Sequence, residues 1–448
     1  MQPISSVLLS AVLLLAAGMQ AAAIPDDAGE ITRLGVAVLY NDEAVQIRYR
    51  FETDSPSWYH QVWRYTDGEW VRHGSGGPGP DPHGLYEDRI SMLLDDGTVE
   101  DFSRFGGFMT AHEGMRTLDS AADTEAVTDH PLLGETMGRS DVRKYLPDTR
   151  RGDRSEAAWD KTRSEEELAE MRERGEFLDL WQWRAHRSHP VGKADNGLVL
   201  HYRLSADGRG MYTTNWDDDT GQPAWMFDPD QTGFHALEWE RLIEQGYSQD
   251  DPYYLSEDNA VPFDASQDWQ EGDVIPQRFL REPSGSRGAI DASGNYRDGA
   301  WRIALTRSLE APDALDSKML KPGGRYSVAF AVHAGGYGAR WHRVSLPLTL
   351  YLDDGSENTA EGNKPELVAR RVEGDLDAAE VSYTDVPVFY PGQVTWQWLH
   401  GQDHPGQPLI ETTPIGIRDV AELHPLDELI EWIQALERDG ELPEEVQR

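Results

Sequence analysis

The chain has 448 residues, no cysteine, and 80 acidic against 41 basic side chains, for a formal net charge of −39. Such a field disfavours nucleic acid and anionic membrane surfaces as partners. The missing thiols exclude cysteine nucleophiles, cysteine-ligated metals and disulfide stapling, so a core must hold the chain together; 15 Trp and 17 Tyr supply apolar mass for one.

Residues 1–23 read as a secretory signal peptide, with a polar opening, an apolar run from Val7 to Ala17 and a close on Ala21-Ala22-Ala23. The run is too short to span a bilayer, no Lys or Arg precedes it, and a retained N-terminal anchor is the alternative. The expectation is an exported, periplasmic protein, soluble after cleavage and without a membrane span.

The first clear strand is 44–52, where Val45, Ile47, Tyr49 and Phe51 alternate with polar residues. Residues 36–40 and 61–65 look similar, and a Gly/Pro-rich loop spans 74–84. The middle is irregular and charged. Ser164 with Glu167 forms a capping box for a short helix through Leu168 and Met171, stopped by Gly175. A Trp-rich stretch, 177–187, and a strand over 198–204 follow, and Asp291 to Asn295 reads as an ordinary turn.

Alternation returns at 300–307, 326–332 and 344–350, separated by glycine turns. Leu426, Leu429, Ile430, Ile433 and Leu436 give an amphipathic C-terminal helix. The fold class expected is mostly β, an antiparallel β-sandwich with irregular, partly helical insertions.

Hydrolase, phosphate-loop and dinucleotide signatures are absent, and His112-Glu113 lacks the second histidine of a zinc helix. Four segments stand out instead: Tyr86 to Met92, Phe108 to Met115, Leu178 to Ser188, and Ala339 to Pro347. Each places Met or His among aromatics and arginines, the mixture that iron porphyrin needs: axial N or S donors, apolar walls and cations for two propionates.

These segments, with 298–307 and the strand at 326–334, resemble the haem-binding family of the ethylbenzene dehydrogenase gamma subunit, related to gamma subunits of periplasmic DMSO-reductase-type molybdenum enzymes. The likeness runs in pieces from about residue 30 to about 350, and Asp179-Leu180-Trp181-Gln182-Trp183 is its most specific part. The resemblance implies an immunoglobulin-like β-sandwich over 24–355, with a long insertion at about 110–280, an extension over 356–448, and a b-type haem held by Met and Lys.

Two departures follow. Where multihaem relatives carry C-x-x-C-H, this chain reads Phe108-Met109-Thr110-Ala111-His112, so covalent haem c is excluded, and His112 is either a relic or a ligand to a non-covalent haem. The region that would offer the Lys reads Arg340-Trp341-His342-Arg343, and His342 is the natural substitute, because neutral imidazole binds haem iron better than a protonated amine. Met171 lies roughly where the gamma-subunit Met would fall, yet it also fits a helix face; Met92 fits a strand core equally well, and His186 is a second imidazole candidate. Arg184, Arg187, Arg340 and Arg343 are propionate candidates or partners of nearby acids, with Trp181, Trp183 and Trp341 as pocket wall or core.

The function expected is electron transfer by a non-catalytic haem b protein working with a redox enzyme or cytochrome partner. The alternatives are a haem-free sandwich that binds a sugar or other small molecule, and a hydrolase whose acid pair the spacing does not reveal.

Overall fold

The computed structural model describes residues 32–74, 83–99, 102–103, 106–107, 122–142, 144–151, 159–244, 246–335, 342–355 and 366–389. The signal segment, most of the 74–84 loop, His112, Arg340, Trp341 and the C-terminal helix lie outside these residues. Among the described residues no helix is long and apolar enough to cross a membrane.

Ten strands dominate: β1 Thr32–Tyr40, β2 Ala44–Glu52, β3 Arg89–Asp95, β4 Leu178–Arg184, β5 Lys193–Val199, β6 Ile290–Arg297, β7 Ala300–Ser308, β8 Arg325–His333, β9 Leu348–Leu352 and β10 Leu367–Arg371. The fold is mostly β, as the alternation implies. The sheet, expected as a sandwich, closes on itself as a barrel. Its order is β6-β7-β2-β1-β10-β9-β8-β3-β4-β5, and β5 returns to β6 through Ala194 opposite Ile290 and Lys193 opposite Asp291. Closure leaves the ring without an open edge. Pairing is antiparallel except at β10, which runs parallel to both β1 and β9. β10, and the strand Thr384–Val388 that also pairs with β1, come from beyond residue 355 and belong to the same sheet.

Residues 291–295 form part of β6 instead of a turn; the reversal comes at Asp298-Gly299, both with positive φ (52° and 73°), a two-residue hairpin whose twist suits the flanking strands. The strand expected over 198–204 is likewise two elements: β5 stops at Val199, the chain reverses at His201-Tyr202, and Arg203–Ser205 pairs back onto β5. The 344–350 stretch is divided at Pro347, which has no N–H to donate to a ladder. The helix Glu165–Glu173 forms as expected, with both capping-box hydrogen bonds present between Ser164 and Glu167.

Alternation sorts side chains to the two faces of β3 and β4. Met92, Trp181 and Trp183 join the interior core, whereas Leu93, Leu178 and Leu180 face an outer cluster with Leu168, Met171 and Phe177. Small aromatic-rich sheets, including the one built from Val62–Thr66, Glu69–His73, Leu237–Glu238 and Asp273–Pro276, extend the interior core continuously.

Deep in the barrel, Arg307 donates from Nη1 to Asp179 Oδ2 at 2.7 Å and from Nη2 to the Lys318 carbonyl at 2.7 Å, with its guanidinium 4.4 Å from the Trp181 ring. Both partners of this ion pair are fully buried. Asp179→Ala strands a guanidinium out of water, so a loss of about 3–5 kcal/mol is expected by chemical denaturation.

Candidate functional site

The residues that start β3, end β4 and end β8 meet at one end of the barrel, because Arg89 lies opposite both Arg184 and His333 in the ladders. Two of the four outstanding segments, 86–92 and 178–188, therefore meet there through residues 86–89 and 184–188. The described part of the fourth joins them through Arg343, opposite Val332.

The organising group is Glu87, fully buried. Its Oε2 accepts from the backbone N–H of His186 at 2.7 Å and of Arg187 at 2.8 Å, and its Oε1 accepts from Arg187 Nε at 2.5 Å. Arg89 Nε is 3.5 Å from the same carboxylate. Burial alone would push Glu87 up, but Arg187 and Arg89 carry it down to about 2, so it is ionised.

His186 follows directly from this anchor. Its ring is fully buried, Nδ1 lies 3.1 Å from the Trp58 carbonyl, and Nε2 has no hydrogen-bond partner among the described residues. A carbonyl can only accept, so Nδ1 carries the proton and Nε2 presents its lone pair. Burial lowers the ring to about 4, which keeps it neutral. A backbone carbonyl fixing one nitrogen of a neutral imidazole and freeing the other is the arrangement of a metal-binding histidine. Tyr59 and Tyr253 flank the ring, with centroids 6.1 and 6.2 Å away.

Around Glu87 the positive charge is in surplus. Burial first, and then Arg187 together with Tyr86, Tyr212 or Glu87 as opposing influences, leave Arg89 at about 9 and Arg278 at about 10. Tyr212 is half-buried, which would raise its phenol, yet Arg187 and Arg184 draw it down to about 8. Two guanidiniums on one buried carboxylate, with the charge of Arg278 also acting on it, suit an additional anion, such as a pair of propionates.

The remaining histidines of this end form a chain of rings. His60 packs against Tyr86 at 5.3 Å, Tyr86 against His333 at 5.9 Å, and His333 stacks on His342 at 4.7 Å and 17°. His60 is held neutral, first by burial and then by Arg187 and Arg89. His342 is thus at the same end as His186 and itself buried.

Other candidates are placed differently. Met92 lies on β3 inside the barrel, opposite Trp181 and Phe330, and its sulfur accepts from Tyr49 Oη at 3.8 Å. Met171 is on the outer face, with β3 and β4 between it and Met92. It borders a cavity of about 460 Å³ together with Leu146, Arg163, Glu167 and Arg174, and no histidine lines that cavity. Arg184 is engaged with Asp195 at 2.8 Å, and Arg187 with Glu87, so both realise the ion-pair alternative as placed. Trp181 and Trp183 are fully buried interior walls.

The ethylbenzene dehydrogenase family profile matches residues 13–345. The chain belongs to the ethylbenzene dehydrogenase family. It is also similar to "Cytochrome c-552" of Stutzerimonas stutzeri, 28% identical over 109 residues, which is 23% of this chain and 35% of that protein. The chain thus spans about a third of that relative's length. The family match takes in β1–β8 and every candidate above, while β9 and β10, which complete the barrel, lie beyond it.

Sequence reasoning did not single out Glu87, His60, Arg89, Arg278 or His333 as members of the site. Glu87 and Arg89 were inside a quoted segment, but nothing local distinguishes an acid that will be surrounded by cations from the other 79. Glu87→Gln removes the carboxylate that both Arg89 and Arg187 approach, the only one among the described residues, and about 3–5 kcal/mol should be lost. Because Glu87 falls from 4.5 to about 2 on folding, its contribution is fully present above pH 4.5 and is lost as pH falls towards 2. Denaturation midpoints of wild type and Glu87→Gln should therefore converge over that window.

Proposed function

We propose that the chain is an exported, periplasmic b-type haem protein that carries single electrons between a redox enzyme or other donor and a partner cytochrome. It makes and breaks no substrate bonds in this reading. The observation that carries it is His186, a neutral buried imidazole with Nδ1 fixed on the Trp58 carbonyl and Nε2 without a hydrogen-bond partner among the described residues. Membership of the ethylbenzene dehydrogenase family and the similarity to a cytochrome support the same reading.

Bound there, haem supplies a one-electron store whose potential depends on the axial donors and on burial. The chain's own groups do the rest. His186 would bind the iron through Nε2, and His342 or Met92 would be its partner ligand, with Met171, on the opposite face of the strands, and His112 as the less favoured candidates. Arg89 and Arg278 would hold the propionates, with Arg187, Arg184, Arg340 and Arg343 as further candidate cations, and Trp181, Trp183 and Trp341 would supply apolar wall. With no cysteine in the chain, ligation and packing alone would retain the group.

Protein purified from haem-replete cells is expected to show a Soret band and to release its haem to acidic organic solvent. His186→Ala should lose most of that absorbance, while His342→Ala and Met92→Leu should change the reduced α-band and the midpoint potential for whichever is the second ligand. A colourless wild-type protein would overturn the haem reading and favour a small-molecule-binding barrel.

A further inference from the structure

Three large indoles lie fully buried inside the barrel, and they differ in one respect. Trp181 Nε1 and Trp183 Nε1 have no hydrogen-bond partner among the described residues, whereas Trp301 Nε1 donates to Asp88 Oδ2 at 2.8 Å. Asp88 is itself fully buried, next in sequence to Glu87, and no cation is hydrogen-bonded to it among the described residues. Its oxygens accept only from neutral donors: Oδ2 from Trp301 and from the Ser57 N–H at 3.1 Å, Oδ1 from the Gly335 N–H at 2.9 Å. A carboxylate placed in this way is a base with spare affinity for a proton. Burial raises it to about 7, against the lowering effect of those hydrogen bonds.

Trp301 is also the centre of a run of near-contact rings. Trp183 is 4.8 Å away on one side and Trp58 4.9 Å on the other. Trp58 leads to Tyr253 at 5.4 Å, and Tyr253 to the half-buried Tyr254 at 5.4 Å. A second exit runs through Tyr296, 5.8 Å from Trp301 and also half-buried. Tunnelling between rings falls steeply with distance, so steps of this size connect the barrel interior with the surface.

We propose that Trp301 is a protein-based one-electron redox site whose proton acceptor is Asp88. A high-potential one-electron oxidant at the surface takes one electron from the indole of Trp301 through Tyr296 or through Tyr254, Tyr253 and Trp58, and is itself reduced by one electron. The Nε1–H bond of Trp301 breaks with its pair left on nitrogen, the proton forms a new O–H bond at Asp88 Oδ2, and the products are a neutral indolyl radical and a neutral carboxylic acid. One electron from a surface reductant and return of the proton restore the starting pair. The buried site needs no charge to be created in the core, because an anion and a neutral indole become two neutral groups with the electron exported. The inference goes beyond the haem reading and does not depend on it, since its oxidant is external.

The test is flash-quench oxidation of the full-length chain by a photogenerated ruthenium(III) polypyridyl complex in solution, followed by transient absorption and freeze-quench electron paramagnetic resonance. Wild type is expected to give a long-lived neutral indolyl radical, shielded from solvent, that disappears in Trp301→Phe. Asp88→Asn keeps a hydrogen-bond acceptor but removes the base. It should give either a protonated radical cation or no long-lived signal, an outcome that a purely structural Asp88 would not produce. Persistence of the same radical in Trp301→Phe, a protonated radical in wild type, or an unchanged neutral radical in Asp88→Asn would overturn the proposal. If Trp301→Phe does not fold, the wild-type and Asp88→Asn spectra alone decide it.

Discussion

Glu87 is a carboxylate taken wholly out of water at the end of a barrel, and it stays ionised there only because cations and N–H groups converge on it from several elements. The approach to β3 provides the acid, the turn after β4 provides two backbone N–H groups and Arg187, and β3 itself provides Arg89. Loosening any of these would leave a buried charge uncompensated. The constraint therefore fixes the path of residues 185–187 and, with it, the position of the His186 ring. Asp88, one residue on, turns the other way into the aromatic core, where it meets Trp301 instead of an arginine. Two adjacent acids thus acquire opposite characters, one held far below and one raised well above the ordinary carboxylate range.

Barrel closure makes this arrangement possible. Pairing β5 back onto β6 brings the middle of the chain against residues that lie about a hundred positions later, and β10, from beyond residue 355, inserts parallel to both neighbours between β1 and β9. With no open edge in the ring, the end of the barrel is lined by strand termini, and the histidines, arginines and tyrosines that finish those strands are gathered there. The strict alternation along β3 and β4 then decides which sulfur can share a compartment with which imidazole. Met92 is on the interior side and Met171 on the exterior side of the same two strands.

The arginines show how charge is distributed for function as much as for stability. Arg307 is paired with Asp179, and Arg184 and Arg287 share Asp195. Arg187 and Arg89 likewise share Glu87, with the Arg278 charge acting on the same group, and the phenol of Tyr212 registers the positive charge. In a chain with a net charge of −39, a buried positive surplus is a local decision of the fold, opposite in sign to the surface.

Much of the strand inventory was legible without coordinates. The alternation of 44–52 and 300–307, the capping box at Ser164 and the Asp179 to Trp183 signature depend on neighbours one to four residues apart, and period and spacing carry that information directly. The burial of Trp181 and Trp183 follows from the same alternation. Closure of the sheet, the hairpin hidden inside 198–204, the parallel placement of β10, and the assignment of Glu87 to the arginines were not legible, because each depends on pairing between residues tens to hundreds of positions apart. His186 lies between these limits. Its sequence context marked it as a candidate imidazole, but only the tertiary structure put the Trp58 carbonyl, 128 positions away, against one ring nitrogen and left the other without a partner among the described residues. Local sequence determines which side chains a strand can offer to its interior face; the long-range contacts decide which polar atoms remain unsatisfied there, and those atoms carry the chemistry.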